Sequence, residues 1–172
     1  GIVNGMAMPI IMFPVSLIIS FSSLLVPEFS RCYAQEKYSK IKIISIIVLS
    51  CTLIFSIIIA ILIFIFSDNL CNWIYHKIEI AKYLRILSPL LIIIYLDIVI
   101  DSILKGLDAQ VDVMAVNIFD CLVSIAFIYF LVPVLGFSGY VISIFVSEII
   151  DFSLSGYKLL KILKNLSYKS SE

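Results

Sequence analysis

Charge is what this 172-residue chain has least of: 14% of its residues are charged, against about a quarter in soluble domains. With 62% hydrophobic residues and a mean hydropathy of +1.17, it has too little polar surface to clothe a soluble globule, and it reads as an integral membrane protein. Lys plus Arg and Asp plus Glu number 12 each, so no net charge draws the chain to nucleic acid. The single histidine, His76, lies near no Ser or Cys that helical spacing would bring to it, and the six glycines form no phosphate-cradling loop. With no cluster of metal-ligating residues either, neither an enzyme nor a cofactor is expected. The four cysteines, Cys32, Cys51, Cys71 and Cys121, show no CxxC spacing and fall at different depths, which supports neither a zinc site nor a disulfide framework. No basic segment or cleavage site accompanies the first apolar run, and the chain opens on Gly1, so a mid-chain start is expected and not a signal peptide.

What the chain has in quantity is long apolar runs. Five are long enough to cross a hydrocarbon core of about 30 Å as helix: Gly5 to Val26, Ile41 to Phe66, Leu84 to Leu104, Val113 to Val132 and Phe137 to Leu160. They predict an all-α, polytopic membrane bundle over residues 1–163, followed by a short basic cytoplasmic tail over 164–172. PEFSRCYAQEKYSK and SDNLCNWIYHKIEIAKY read as the two sizeable loops, and PVLGFSG as a tight hairpin. Nine basic residues fall on one side of the five spans (Arg31, Lys37, Lys40, Lys42, Lys105, Lys158, Lys161, Lys164 and Lys169) and three on the other (Lys77, Lys82 and Arg85). The richer side is expected to be cytoplasmic, with the C-terminus inside. Trp73 and Tyr75, beside His76, sit where an outer aromatic belt belongs.

Polar residues within the spans form one-sided rows. On the third span Asp97, Asp101 and Lys105 recur every four residues, one stripe of a helix. Asp101 is expected to pair with Lys105 at the inner interface, while Asp97, near mid-depth, faces a cavity shared with Asp120 and Glu148. Asn117, Asp120 and Ser124 mark the fourth span, and Glu148, Asp151 and Ser155 the fifth. Ser16, Ser20 and Ser23 on the first span and Ser45, Thr52 and Ser56 on the second form similar rows, and all are expected to converge on a common interior. Hydroxyls and amides commonly join membrane helices at about 0.6 kcal/mol per bond. Carboxyls at mid-membrane are different, because each costs about 2.5–3.5 kcal/mol to insert and marks a proton or cation pathway by default. Asp97, Asp120, Glu148, Asp151 and Asn117 are the pathway candidates. Pro9 and Pro14 are expected to interrupt the first span and Pro89 to kink the third, with Pro133, Gly136 and Gly139 shaping the last hairpin.

The segments GMAMPIIMFPVSLIISFSSLLVPEFSRCYA, LRILSPLLIIIYLDIVIDSILKGLDAQ and NIFDCLVSIAFIYFLVPVLGFSGYVISIFVSEIIDFSL resemble, in order and spacing, the C-terminal part of the stage V sporulation protein B group. That group belongs to the multidrug, oligosaccharidyl-lipid and polysaccharide exporter superfamily. The markers are Phe13 and Pro14, Leu24 to Glu28 with Ser30, the LKGL turn at Leu104 to Leu107, Pro133, Gly136, Gly139, and Ser147 with Glu148. The resemblance implies a transporter of two pseudo-symmetric six-helix lobes working by alternating access in a bacterial cytoplasmic membrane. This chain would be the last five helices of the second lobe, partnered by the missing N-terminal lobe or by a partner subunit. It also implies a lipid-linked sugar precursor, for spore cortex or another envelope polymer, as substrate. Such a pyrophosphate calls for Arg or Lys in the cavity, which these spans do not offer at mid-depth. A cation-coupled multidrug exporter of the same superfamily is the alternative reading, and a non-transporting membrane scaffold subunit is another.

Overall fold

The computed structural model describes residues 8–75 and 84–169, and those residues form an all-α bundle with no strand among them. Five helices follow one another: α1 (Met8–Ala34), α2 (Tyr38–Tyr75), α3 (Leu90–Gly106), α4 (Gln110–Leu135) and α5 (Phe137–Lys169). All but α3 are long and apolar enough to cross a membrane. α3 has 17 residues, about 25 Å of helix, and a further helical turn at 84–87 precedes it.

α3 is the centre of the bundle and packs against each of the other four helices. Nearly its whole circumference is buried, including Leu91, Tyr95, Val99, Ile103 and Leu104 at 0% exposure or close to it. The outer helices each bury a narrow stripe. On α1 it is Val15, Ile18, Ser22, Leu25, Phe29 and Cys32, alternating steps of three and four, the spacing that keeps one seam of a helix facing a neighbour. On α5 it is Gly139, Ser143, Ser147, Asp151, Ser155 and Leu159, one residue every four, a ridge of small and polar side chains. α4 buries only Val113 and Val116 among its larger residues; Val123, Phe127, Leu131 and Val132 are half-buried, and its other large apolar side chains are exposed.

Small residues set the closest approaches. A Cβ on Gly106 would lie 2.5 Å from Phe29 Cβ and 2.9 Å from the Val26 carbonyl, so α3 meets α1 backbone to backbone at its last turn. Ser30 donates to the Gly106 carbonyl at 3.1 Å in the same place. The LLVPE segment and the LKGL turn, far apart in sequence, are thus two halves of one contact. At the other end of the bundle α4 and α5 are joined through Gly136 alone, whose φ of 56° and ψ of −128° suit glycine and strain other residues. Three residues on, a Cβ at Gly139 would sit 2.4 Å from the Leu131 carbonyl oxygen.

The prolines behave differently from one another. α1 is helical through both Pro14 and Pro27, with Pro9 in its first turn, so the expected interruption of the first span does not occur. Pro89 does end a helical segment: the chain turns at Ser88–Pro89 between the 84–87 turn and α3. Pro89 has no N–H for the Arg85 carbonyl, and the Ser88 hydroxyl donates to that carbonyl at 3.0 Å instead.

Helix boundaries correct two expected loops and extend the last helix. PEFSRCYA is the end of α1 and not loop, leaving only 35–37 as the connection, with Glu36 at φ 54°. SDNLCNWIY continues α2. α5 continues to Lys169, into the segment expected as the basic tail. The physical reason is common to all three: a helix leaving hydrocarbon keeps its internal hydrogen bonds, so polarity marks the bilayer's edge and not the helix's end. His76, Lys77 and Lys82, with residues 1–7 and 170–172, lie outside the described residues, as do the side chains of Trp73, Tyr75 and Cys71.

Candidate functional site

The acids of α3 stand on the face that meets α4 and α5. Asp97 and Asp101 are each 8% exposed, and Asp151 of α5, on the four-residue ridge, is buried to the same degree. Asp101 is held by two other helices: Ser155 of α5 donates to its Oδ1 at 3.4 Å and Asn117 of α4 to its Oδ2 at 3.5 Å. The ion pair expected between Asp101 and Lys105 is not formed. Ion pairs among the described residues join Lys40 to Glu28, Arg85 to Asp68 and Lys158 to Asp112, while Asp101 turns its oxygens to the amide and the hydroxyl. Lys105 remains near enough for electrostatic influence on Asp101 but lies along the wall of a groove beside α4.

Asp97 reaches across the seam to Asp151, the two carboxyls within hydrogen-bonding range. Each also keeps a buried oxygen, Oδ1, with no donor among the described residues. Ionised carboxylates only accept hydrogen bonds, so two in contact need a shared proton or a cation between them. Glu148 and Asp120, both half-buried, complete the cluster around Asp151, and Ser147 of the α5 ridge donates to Asp120 Oδ1. Asp97 therefore has Asp151 as its nearest acid, with Glu148 also within electrostatic reach of it and Asp120 acting on Asp151 and Glu148. No basic residue occurs in α4, nor in α5 before Lys158, so among the described residues the cluster has no cation of its own at that depth. Among the described residues no three of His, Cys, Asp and Glu are grouped so as to hold a metal ion.

The serine rows divide. Ser45, Thr52 and Ser56 of α2 are buried, as expected, but Ser16, Ser20 and Ser23 of α1 are exposed and bond to their own helix's carbonyls at 2.6–2.9 Å. The serine of α1 that points inward is Ser22, 1% exposed. Tyr95, fully buried and stacked on Phe55 with ring centroids 6.2 Å apart, was not singled out by sequence because an aromatic inside an apolar run gives no sign of its direction. Asp68 and Arg85 were missed for another reason: their 2.5 Å contact joins α2 to the turn before α3 across a long connection, and Arg85 also donates to the buried Ser67 at 2.9 Å.

A bundle of apolar helices closed around buried carboxyls belongs to the class of multi-pass membrane proteins. The family model described as MatE matches residues 1–130, three-quarters of the chain, and the protein belongs to the MatE family. That family lies in the multidrug, oligosaccharidyl-lipid and polysaccharide exporter superfamily, and its members are transporters, not enzymes. The match takes in Asp97, Asp101, Asn117 and Asp120, while Glu148 and Asp151 lie beyond it. No curated protein and no solved structure matches the chain.

Proposed function

We propose that the protein works within an alternating-access exporter that moves a lipid-linked oligosaccharide or polysaccharide precursor across a bacterial cytoplasmic membrane, with its C-terminus on the cytoplasmic side. The remaining helices of the pathway come from an N-terminal lobe or a partner subunit. Asp97 with Asp151 forms the proton or cation station of the cycle, and Asp120, Glu148 and Asn117 continue it along the α4–α5 face. The observation that carries this reading is the buried carboxyl contact between α3 and α5, at a seam with no basic residue to neutralise it. Taking up or releasing one positive charge there changes the energy of holding the α4–α5 hairpin against α3, and such a change is what alternating access requires. The lipid-linked substrate rests on the resemblance of the FP, LLVPE and LKGL segments to the stage V sporulation protein B group, and a role in sporulation rests there too.

One observation favours a second reading. An acid cluster without cations suits a cationic drug better than a pyrophosphate, so a multidrug exporter of the same superfamily is the alternative. Proteoliposomes carrying the intact transporter separate the two when given either a polyprenyl-pyrophosphate-linked sugar or a cationic dye. Movement of the sugar lipid alone supports the first reading, and movement of the dye alone replaces it with the second. In either case Asp97→Asn is expected to slow transport at least tenfold and more than Asp101→Asn, with membrane insertion unchanged. Wild-type transport in both variants would remove the carboxyl pair from the mechanism.

A further inference from the structure

A groove of about 550 Å³ runs between the C-terminal end of α3 and the first half of α4, with Lys105, Gln110, Met114, Asn117, Ile118 and Cys121 in its walls. Among the described residues Lys105 is the only charged one lining it. Its ammonium enters no ion pair among the described residues, although Asp101, one turn back on α3, stays within electrostatic reach of it. Asp112 is taken by Lys158, and neither it nor Asp108 lines the groove. Apart from Gln110 and Asn117 the rest of the wall is apolar and passes into the outward face of α4, where Val111, Met114 and Ile118 are more than half exposed. From Gln110 to Cys121 the helix rises about 16 Å, half of a hydrocarbon core about 30 Å thick. The groove therefore offers a single cation at the end of the bundle and an apolar trough one leaflet deep.

We propose that this groove holds an anionic phospholipid of the surrounding bilayer, its phosphate on Lys105 with Gln110 beside it, and one acyl chain laid along Met114, Ile118 and Cys121. Basic pockets between transmembrane helices bind anionic headgroups in this way. A headgroup of net negative charge is preferred over a zwitterionic one, since the latter already carries its own cation next to the phosphate. One lysine contributes about a fivefold preference. The site is separate from the carboxyl seam and does not depend on which substrate is exported.

The test is lipid retention. The protein is reconstituted into nanodiscs of equal phosphatidylglycerol and phosphatidylcholine, and the lipids that remain bound on release are counted by native mass spectrometry. The wild type is expected to retain phosphatidylglycerol about fivefold over phosphatidylcholine. Lys105→Gln loses the preference, Lys105→Arg keeps it, and Lys161→Gln, on an exposed part of α5 outside the groove, leaves it unchanged. Ile118→Trp fills the trough without altering charge and lowers retention of both lipids. Equal retention of the two lipids by the wild type, or an undiminished preference in Lys105→Gln, overturns the proposal. Unchanged retention in Ile118→Trp overturns the placement of the acyl chain. Displacement of phosphatidylglycerol by inorganic phosphate alone overturns the lipid assignment in favour of the free anion.

Discussion

α3 and α4 are neighbours of nearly equal apolar character, yet one is buried on almost every side and the other on almost none. In water such a difference would follow hydrophobicity. In a bilayer it cannot, because lipid tails are as apolar as leucine and give no reason for an apolar side chain to prefer protein. What separates the two helices is where polar groups must go. α3 carries Asp97 and Asp101, whose hydrogen-bond partners lie on other helices, and it is drawn to the centre. α4 turns inward along Val113, Val116 and the half-buried Asp120, with Asn117 at the edge of that face reaching Asp101; Leu122, Ile125, Tyr129 and Val134 are exposed.

The sharpest way to break this comparison is to place a carboxylate where α4 has none. Leu122→Asp, at the middle of the outward face, is expected to cost about 2.5–3.5 kcal/mol of insertion, because it has no partner to reach. Glycosylation mapping of the inserted fraction measures it, and insertion at the wild-type level would show that this face is not lipid-exposed. Next in size is the tight joint of the hairpin. Gly139→Ala drives a methyl into the Leu131 backbone and is expected to destabilise the protein by about 1–3 kcal/mol in thermal unfolding in detergent. Gly156→Ala, with nothing within 4 Å of the added carbon, is expected to change stability by less than about 0.5 kcal/mol, and equal effects from the two would refute the close approach. The smallest effect is expected at the break before α3. Ser88→Ala leaves the Arg85 carbonyl without its hydroxyl donor and should cost about 0.6 kcal/mol, the usual worth of a hydrogen bond between polar groups in a membrane protein.

The sequence made the all-α class and the inward-facing acids legible because both depend on counting: apolar runs against bilayer thickness, and carboxyls against the cost of inserting them. Helix ends were not legible by that route, since Glu28, Arg31 and Ser67 to Asn72 are polar enough to read as loop and are nevertheless helical. Residues four apart on one helix are neighbours, which points Asp101 at Lys105, but its hydrogen bonds come from Asn117 and Ser155 on other helices, and Lys105 acts on it only electrostatically. The contact between Asp97 and Asp151 depends on how two helices are rotated about their axes. Its trace in the sequence was the row Gly139, Ser143, Ser147, Asp151 and Ser155, a ridge of small and polar residues that marks which side of α5 faces protein.

The placement of α3's partners has a consequence for how the protein is made. Asn117, Asp151 and Ser155, which meet Asp97 and Asp101, all follow α3 in the chain, so a ribosome delivers the costly helix before any group that can satisfy it. At about 5–20 residues per second the 54 residues from Asp101 to Ser155 take about 3–11 s to synthesise. Until Asn117 and then Asp151 and Ser155 emerge, the two acids of α3 have none of the partners they hold in the folded bundle.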